Sequence, residues 1–211
     1  MRSCVLMRLE PITLTGSFVR LVPLALDHAP ALVAAADRDR STFGYTPVPA
    51  DVPAMEAYIA GLCADAARDT ALPFAQQRLS DGDIVGCTRY LNVLWWPNRD
   101  TPSEVEVGGT WLAADSQRSP LNTDAKLLLL GHAFDVLHVV RVAICTDALN
   151  TRSRTAIERL GATFEGVLRN HRPNSGALTT PGLPRNTAAY SILPDEWPAI
   201  RTRLLERLNA R

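Results

Sequence analysis

Residues Gln117-Arg-Ser-Pro-Leu-Asn122-Thr123 open an apolar helix shortly after a strand, and that placement makes them a candidate anion site. The first backbone N–H groups of a helix lack intrahelical acceptors, and the helix dipole is positive there. A pyrophosphate fits such an end without any charged side chain, and Arg118 adds charge. The same residues also make an ordinary helix start, with Ser119 as N-cap and Pro120 in the first helical position. Spacing alone does not decide between the two. The segment is not a lysine-bearing phosphate loop, because G-x-x-x-x-G-K-[ST] is absent, and no G-x-G-x-x-G follows a strand anywhere in the chain.

A second group of candidates can move protons. Glu106 lies two residues before Gly108-Gly109, where a β-bulge would turn a backbone N–H outward. A strand carboxylate in that place can act as a general base, although Glu104 competes for the role and either residue also reads as an ordinary solvated strand position. Asn150 follows a strand and caps the next helix, with Ser153 one turn on. Tyr90 and Tyr190 can donate a proton, yet an aromatic on a strand is usually core. Trp95, Trp96, Trp111, Phe43 and Tyr45 suit either a cleft wall, a core or a subunit face. His171 is the one histidine in a loop near the expected cleft; His132 and His138 belong to the helix after Gln117.

The elements that must position these residues follow from periodicity. Phe18–Leu24 alternates and breaks at Pro23, as an edge strand does. Asp27 can cap a helix with Leu32, Val33 and Ala36 on its apolar positions. A proline- and aromatic-rich loop at 41–49 precedes a helix over about 52–69, in which Met55, Tyr58, Ile59 and Leu62 share a face. Two β-rich runs, 73–79 and 83–93, flank the hairpin signal Ser80-Asp81-Gly82. Further strands are expected at 104–113, 140–146, 162–168 and 187–193, and helices over 121–137, from Asn150 to Gly161 and over 195–209. Residues 171–186, with three prolines and two glycines, read as a long loop. No repeat or domain boundary interrupts this order, so 1–211 reads as one α/β domain.

Composition excludes several classes. The chain carries 22 Lys+Arg and 22 Asp+Glu, for a net charge of zero, and so lacks the electrostatic footprint of a nucleic-acid binder. The same neutrality argues against a strongly anionic substrate. No apolar run reaches the ~18–20 residues that span a bilayer. Met1–Leu14 holds Arg2, Arg8 and Glu10 with no apolar stretch between them, so it does not read as a secretion signal. Cys4, Cys63, Cys87 and Cys145 are scattered, with no C-x-x-C and no histidine at ligand spacing; neither a metal nor a disulfide scaffold is implied, and a reducing cytoplasm is the expected home. Lys126, the sole lysine, reads as a coding bias without functional weight.

Taken in order, these segments resemble the GNAT superfamily of N-acetyltransferases, in its ribosomal-protein N-terminal acetyltransferase-like branch. Gln117–Asn122 lies on the family's acetyl-CoA motif, [QR]-x-x-G-x-[GA]. The likeness continues through Pro11–Leu24, Thr46-Pro-Val-Pro, Gly86-Cys-Thr-Arg-Tyr90, Thr110-Trp-Leu, Thr146-Asp-Ala-Leu-Asn150, Arg154–Ala162 and Ala189-Tyr-Ser-Ile-Leu-Pro-Asp-Glu-Trp. The resemblance implies a mixed, strongly twisted sheet of about seven strands with helices on both faces. Strands 104–113 and 140–146 would splay around a pantetheine arm. It further implies acetyl-CoA as co-substrate and a small-molecule or peptide amine as acceptor, and it allows a homodimer.

The resemblance also assigns roles. Gln117, Arg118, Ser119, Leu121, Asn122 and Thr123 would hold the pyrophosphate, Leu112 and Ala113 would pair with the pantetheine amides, and Asn150 and Ser153 would face the arm. Glu106 occupies the place of the family's glutamate and would take the proton of the attacking amine, directly or through water; Tyr90 or Tyr190 would protonate the leaving thiolate. One departure falls in the motif: Pro120 and Asn122 replace the glycine and the small residue, and proline has no N–H. A lost hydrogen bond to a charged group weakens binding by about 1.5–3 kcal/mol, roughly ten- to a hundredfold. That departure motivates a second expectation, a CoA-binding or interaction protein on the same fold that has lost efficient catalysis.

Overall fold

The computed structural model describes residues 8–174, 176–180 and 182–210; the readings that involve Arg2 and Cys4 lie outside the described residues. Eight strands form one sheet in the order β1-β2-β3-β4-β5-β6-β8-β7. They are β1 (Leu14–Thr15), β2 (Val19–Pro23), β3 (Leu72–Arg78), β4 (Ile84–Leu94), β5 (Glu104–Leu112), β6 (Arg141–Asp147), β7 (Thr163–Pro173) and β8 (Pro184–Ile192). The helices are α1 (Ala29–Asp37), α2 (Val52–Ala67), α3 (Leu121–Gly131), α4 (Thr151–Leu160) and α5 (Trp197–Asn209). The strand beyond the expected seven is β1, which pairs Leu14 with Leu21 and takes the sheet edge away from β2. Every neighbouring pair is antiparallel except β5 and β6, which are joined through α3 as a parallel pair must be.

Alternation along β4 shows why helices cover both faces. Arg89 reaches Tyr58 of α2, donating from Nη1 to the phenol oxygen at 2.7 Å. The next residue, Tyr90, points the other way and donates its hydroxyl to the Leu129 carbonyl of α3 at 2.5 Å. Phe74, Tyr90, Leu129, Ile192, Ile200 and Leu204 are all fully buried in the core that results. The start of α3 is fixed independently: the buried Asp124 carboxylate accepts the N–H groups of Phe18 (2.6 Å) and Val19 (3.1 Å), clamping the first turn to β2. Beyond Gly131 the helix widens into a π turn over His132–Val136 before β6 begins.

The long loop expected at 171–186 is mostly strand. β7 and β8 run as a hairpin through Arg172↔Arg185 and Pro173↔Pro184, leaving only 174–183 as its turn. Proline is tolerated there because the pair lies at the open end of an edge strand, where a missing donor costs no ladder bond. In the turn, the Leu178 N–H donates to the Gly44 carbonyl at 2.8 Å, so the hairpin tip rests on the 41–49 segment.

Candidate active site

Strands β5 and β6 pair only at Glu104↔Arg141, Val105↔Val142 and Glu106↔Ala143. Beyond Glu106 they separate, although β5 continues to Leu112 and β6 to Asp147. A cavity of about 1080 Å³ opens in this fork. A bulge shapes its wall. Between Cys87↔Trp111 and Arg89↔Gly108, β4 contributes one residue, Thr88, and β5 contributes two, Gly109 and Thr110. Gly109 has φ 56°, and a Cβ there would lie 2.4 Å from Arg89 Nη1, so both the backbone and the neighbouring guanidinium require glycine.

One end of the cavity is built from backbone donors. The residues Gln117–Pro120 turn sharply into α3, with Arg118 at φ 58°. The N–H groups of Ser119, Asn122 and Thr123 have no acceptor among the described residues, and all three residues line the cavity. Pro120 has helical φ −63° and ψ −22°, and its carbonyl accepts the Asp124 N–H at 3.0 Å. Its missing N–H therefore falls in the first turn, where no intrahelical bond is lost. Leu121 departs from its expected role: its side chain is buried outside the cavity, and its N–H is directed at Ser119 Oγ (3.3 Å). The Gln117 amide does not point at an anion either. It bridges the Leu112 carbonyl (2.9 Å) and Thr42 Oγ1 (3.0 Å), while Arg152 donates to the Thr42 carbonyl at 2.7 Å. Gln117 and Arg152 thus strap the 41–49 segment across the cavity mouth. Asn150 caps α4, its Oδ1 accepting the Ser153 N–H at 3.1 Å, and both residues line the cavity.

The other end is built from side chains. Glu106, 4% exposed, sits at the last paired position of the fork. Arg172 holds it in a two-pronged ion pair, Nη1 to Oε1 at 3.2 Å and Nη2 to Oε2 at 2.6 Å. Asn92 Nδ2 donates to Oε2 at 2.7 Å from a second bulge, in which Asn92 has φ 49°. Glu104 instead pairs with Arg141 at 3.1 Å and does not line the cavity; burial raises its pKa above the usual carboxylate value. Phe43, Tyr45 and Trp111 wall this end, Phe43 meeting Trp111 edge-on at 5.5 Å. Trp95 and Trp96 lie elsewhere, Trp95 donating to the Asp69 carbonyl, and His171 is exposed on β7 outside the cavity.

Lys126, dismissed on composition, is the residue that sequence reasoning missed. It projects from α3 into the cavity and donates from Nζ to Thr110 Oγ1 at 2.8 Å; Thr110 is in turn bonded to Thr88 Oγ1 at 2.8 Å. Burial brings its pKa down to about 8. The available signal was positional: Lys126 is one helical turn beyond Asn122, on the same face of α3. Cys145 also lines the cavity, but burial pushes its thiol up to about 11, so it is not a thiolate at neutral pH. The charged lining is lopsided. Arg89, Arg118, Arg152, Arg159, Arg172, Arg185, Arg207 and Lys126 face a single carboxylate, Glu106.

Residues 19–163 match the Acetyltransferase (GNAT) domain. The chain belongs to the GNAT acetyltransferase family. A GNAT structure from T. thermophilus, assigned as an acetyltransferase, is 35% identical, with a TM-score of 0.78 over 96% of this chain and 100% of that one. Mycobacterium smegmatis RimJ in complex with CoA-disulfide has the same fold, with a TM-score of 0.77 at 23% identity over 93% of this chain and 95% of its own. YdaF of Bacillus subtilis (strain 168), whose name assigns it provisionally to ribosomal N-acetylation, is 30% identical over 119 residues. That match spans 56% of this chain and 58% of the length of YdaF.

Within this GNAT fold, two of the expected site residues lie off the cavity. Tyr190 is fully buried; its hydroxyl donates to Glu158 Oε1 at 2.8 Å and accepts from Arg154 Nε at 3.0 Å. Burial raises its pKa, Arg154 opposing and Glu158 assisting, and the side chain is held against α4. Tyr90 is likewise engaged with Leu129. Ala113 cannot extend the sheet, because its N–H donates to Val85 (2.7 Å) and its carbonyl accepts from Ser116 (2.9 Å). Strand alternation leaves Leu112, not Ala113, facing the fork. Among the described residues no cluster of His, Cys, Asp and Glu is arranged to hold a metal ion, and no helix is long and apolar enough to cross a membrane.

Proposed function

We propose that the chain transfers an acetyl group from acetyl-CoA to a primary amine and works as one domain over its whole length. The observation that carries this is the fork itself: an open strand edge, a bulge and a row of unpartnered N–H groups meet in one cavity. The N–H groups of Ser119, Asn122 and Thr123 suit a pyrophosphate, and Arg118 and Arg152 line the same end as charge partners. Leu112, Asn150 and Ser153 line the path from there into the fork. Acetyl-CoA supplies a thioester; the protein's own part is to bind, orient and deprotonate the amine.

A free alkyl amine has a pKa near 10 and must lose a proton before it attacks. Glu106 is the carboxylate of the cavity. Its Oε2 is occupied by Arg172 and Asn92, so Oε1, which accepts a single bond, receives the proton, directly or through a water. The ion pair with Arg172 fixes the orientation of the carboxylate for that purpose. Lys126 adds a polar, desolvated group at the bulge through Thr110.

Calorimetric titration with acetyl-CoA, followed by an amine screen with E106Q as control, tests the reading. Micromolar binding with turnover that E106Q abolishes is expected. Binding without turnover above hydrolysis would instead favour a CoA-binding protein on this fold.

A further inference from the structure

The two cations at the far end of the cavity are placed unlike any others in the fold. Arg172 and Arg185 are direct cross-strand partners at the open end of the β7–β8 hairpin, so both side chains lie on one face, and both line the cavity. Like charges opposed across strands destabilise a hairpin. Arg172 is compensated by Glu106. Arg185 is not: half-buried, it donates only a 3.3 Å bond to Thr187 Oγ1, and no carboxylate among the described residues forms an ion pair with it. Desolvation and the neighbouring Arg172 both push its pKa below the usual guanidinium value. A half-buried cation held beside another without its own anion is a costly arrangement unless something arrives to neutralise it. The phosphates of acetyl-CoA do not serve, because six residues of β5, roughly 20 Å at ~3.3 Å per residue, separate Glu106 from Leu112 beside the start of α3.

We infer that Arg185, braced by Arg172, binds an anionic group on the acceptor, so that the acceptor is an amine that also carries a carboxylate or phosphate. This rests on the acetyl-transfer reading for the role of the amine. Glu106 Oε1 faces the ammonium and Arg185 the anion, so a zwitterion of short span fits both. The neutral charge of the chain pointed the other way, because it averages over a surface that the cavity does not sample.

Calorimetry with the CoA site filled by CoA tests this without needing turnover. Matched probes isolate the anion: β-alanine against β-alaninamide, phosphoethanolamine against ethanolamine, and Ala-Asp-Ala against Ala-Asn-Ala amide. In at least one pair the anionic member should bind roughly tenfold or more tighter. R185Q should erase that preference and R185K keep part of it, with CoA affinity unchanged in both variants. Equal binding within every pair, no binding by any anionic member, or a preference that survives R185Q would overturn the inference. The two pairs of small probes distinguish carboxylate from phosphate. If the preference holds while no probe is acetylated, the anion site stands and it is the transferase reading that fails.

Discussion

The two ends of the cavity are made of different material. The donor end consists of backbone N–H groups at Ser119, Asn122 and Thr123, all within one turn of α3 and its lead-in. The acceptor end consists of side chains from Phe43, Arg89, Glu106, Arg172 and Arg185, which come from four strands and a short helical turn. Backbone donors recognise an anion whatever residue carries them, which is why Pro120 and Asn122 can stand in the motif without dismantling the cradle. Side chains recognise only what their own chemistry and distance allow. The donor end is therefore tolerant and the acceptor end selective, and substitutions should separate the two.

The largest effect should come from the acceptor end. E106Q should lower kcat by roughly 10²–10⁴-fold while leaving the acetyl-CoA Kd within about threefold. Steady-state kinetics beside calorimetry check this; a matched loss of acetyl-CoA affinity would mean that the ends are not independent. Next is Lys126, which lies between them. Its folded pKa of about 8 is below the ordinary 10.5, so between those values the unfolded chain holds a proton that the folded chain has released. Stability contributed by this group therefore rises with pH across that window, and below about pH 8 the fold bears the full cost of burying the ammonium. At about 1.4 kcal/mol per pH unit the cost is ~3 kcal/mol. The stability difference between K126M and the native chain should narrow by about that much from pH 7 to 10.5, as read by urea unfolding. A constant difference would show Lys126 to be solvated in the folded state.

G109A tests the wall that the two ends share. A left-handed alanine costs about 1–2 kcal/mol, and its Cβ must displace the Arg89 guanidinium, 2.4 Å away. Melting temperature should fall, and acceptor KM should rise with it if Arg89 helps shape the acceptor end. The smallest effect is expected at the donor end. P120G restores one N–H to the cradle and should tighten acetyl-CoA about tenfold without altering the choice among amines. A change in acceptor preference on P120G would contradict the division between the ends.

The same contrast explains what could be read in advance. The helix start at Gln117–Thr123, the Asn150 cap and the glycine bulge are local features, and hydrogen-bonding rules apply to them within a few residues. The role of Glu106 as the carboxylate of the site was also legible, because its spacing from Gly108-Gly109 is local. Its partners were not: Arg172 lies 66 residues away in a stretch that read as loop because of its prolines. Prolines announce loops only when the strand beside them needs a donor, and β7 is an edge strand.

By itself, then, the chain determined the order of strands and helices, the family, and the backbone cradle, since each depends on periodicity, turn chemistry or a contiguous motif. Only the tertiary structure decided which side chains share the fork. It buried Tyr190 against α4 and closed the edge at Ala113. It raised Lys126 from a compositional oddity to a desolvated amine, and brought Arg185 beside Arg172. Those outcomes depend on register and on which strand face meets the cavity, and a single-residue change of register would invert them without altering the pattern from which the elements were read.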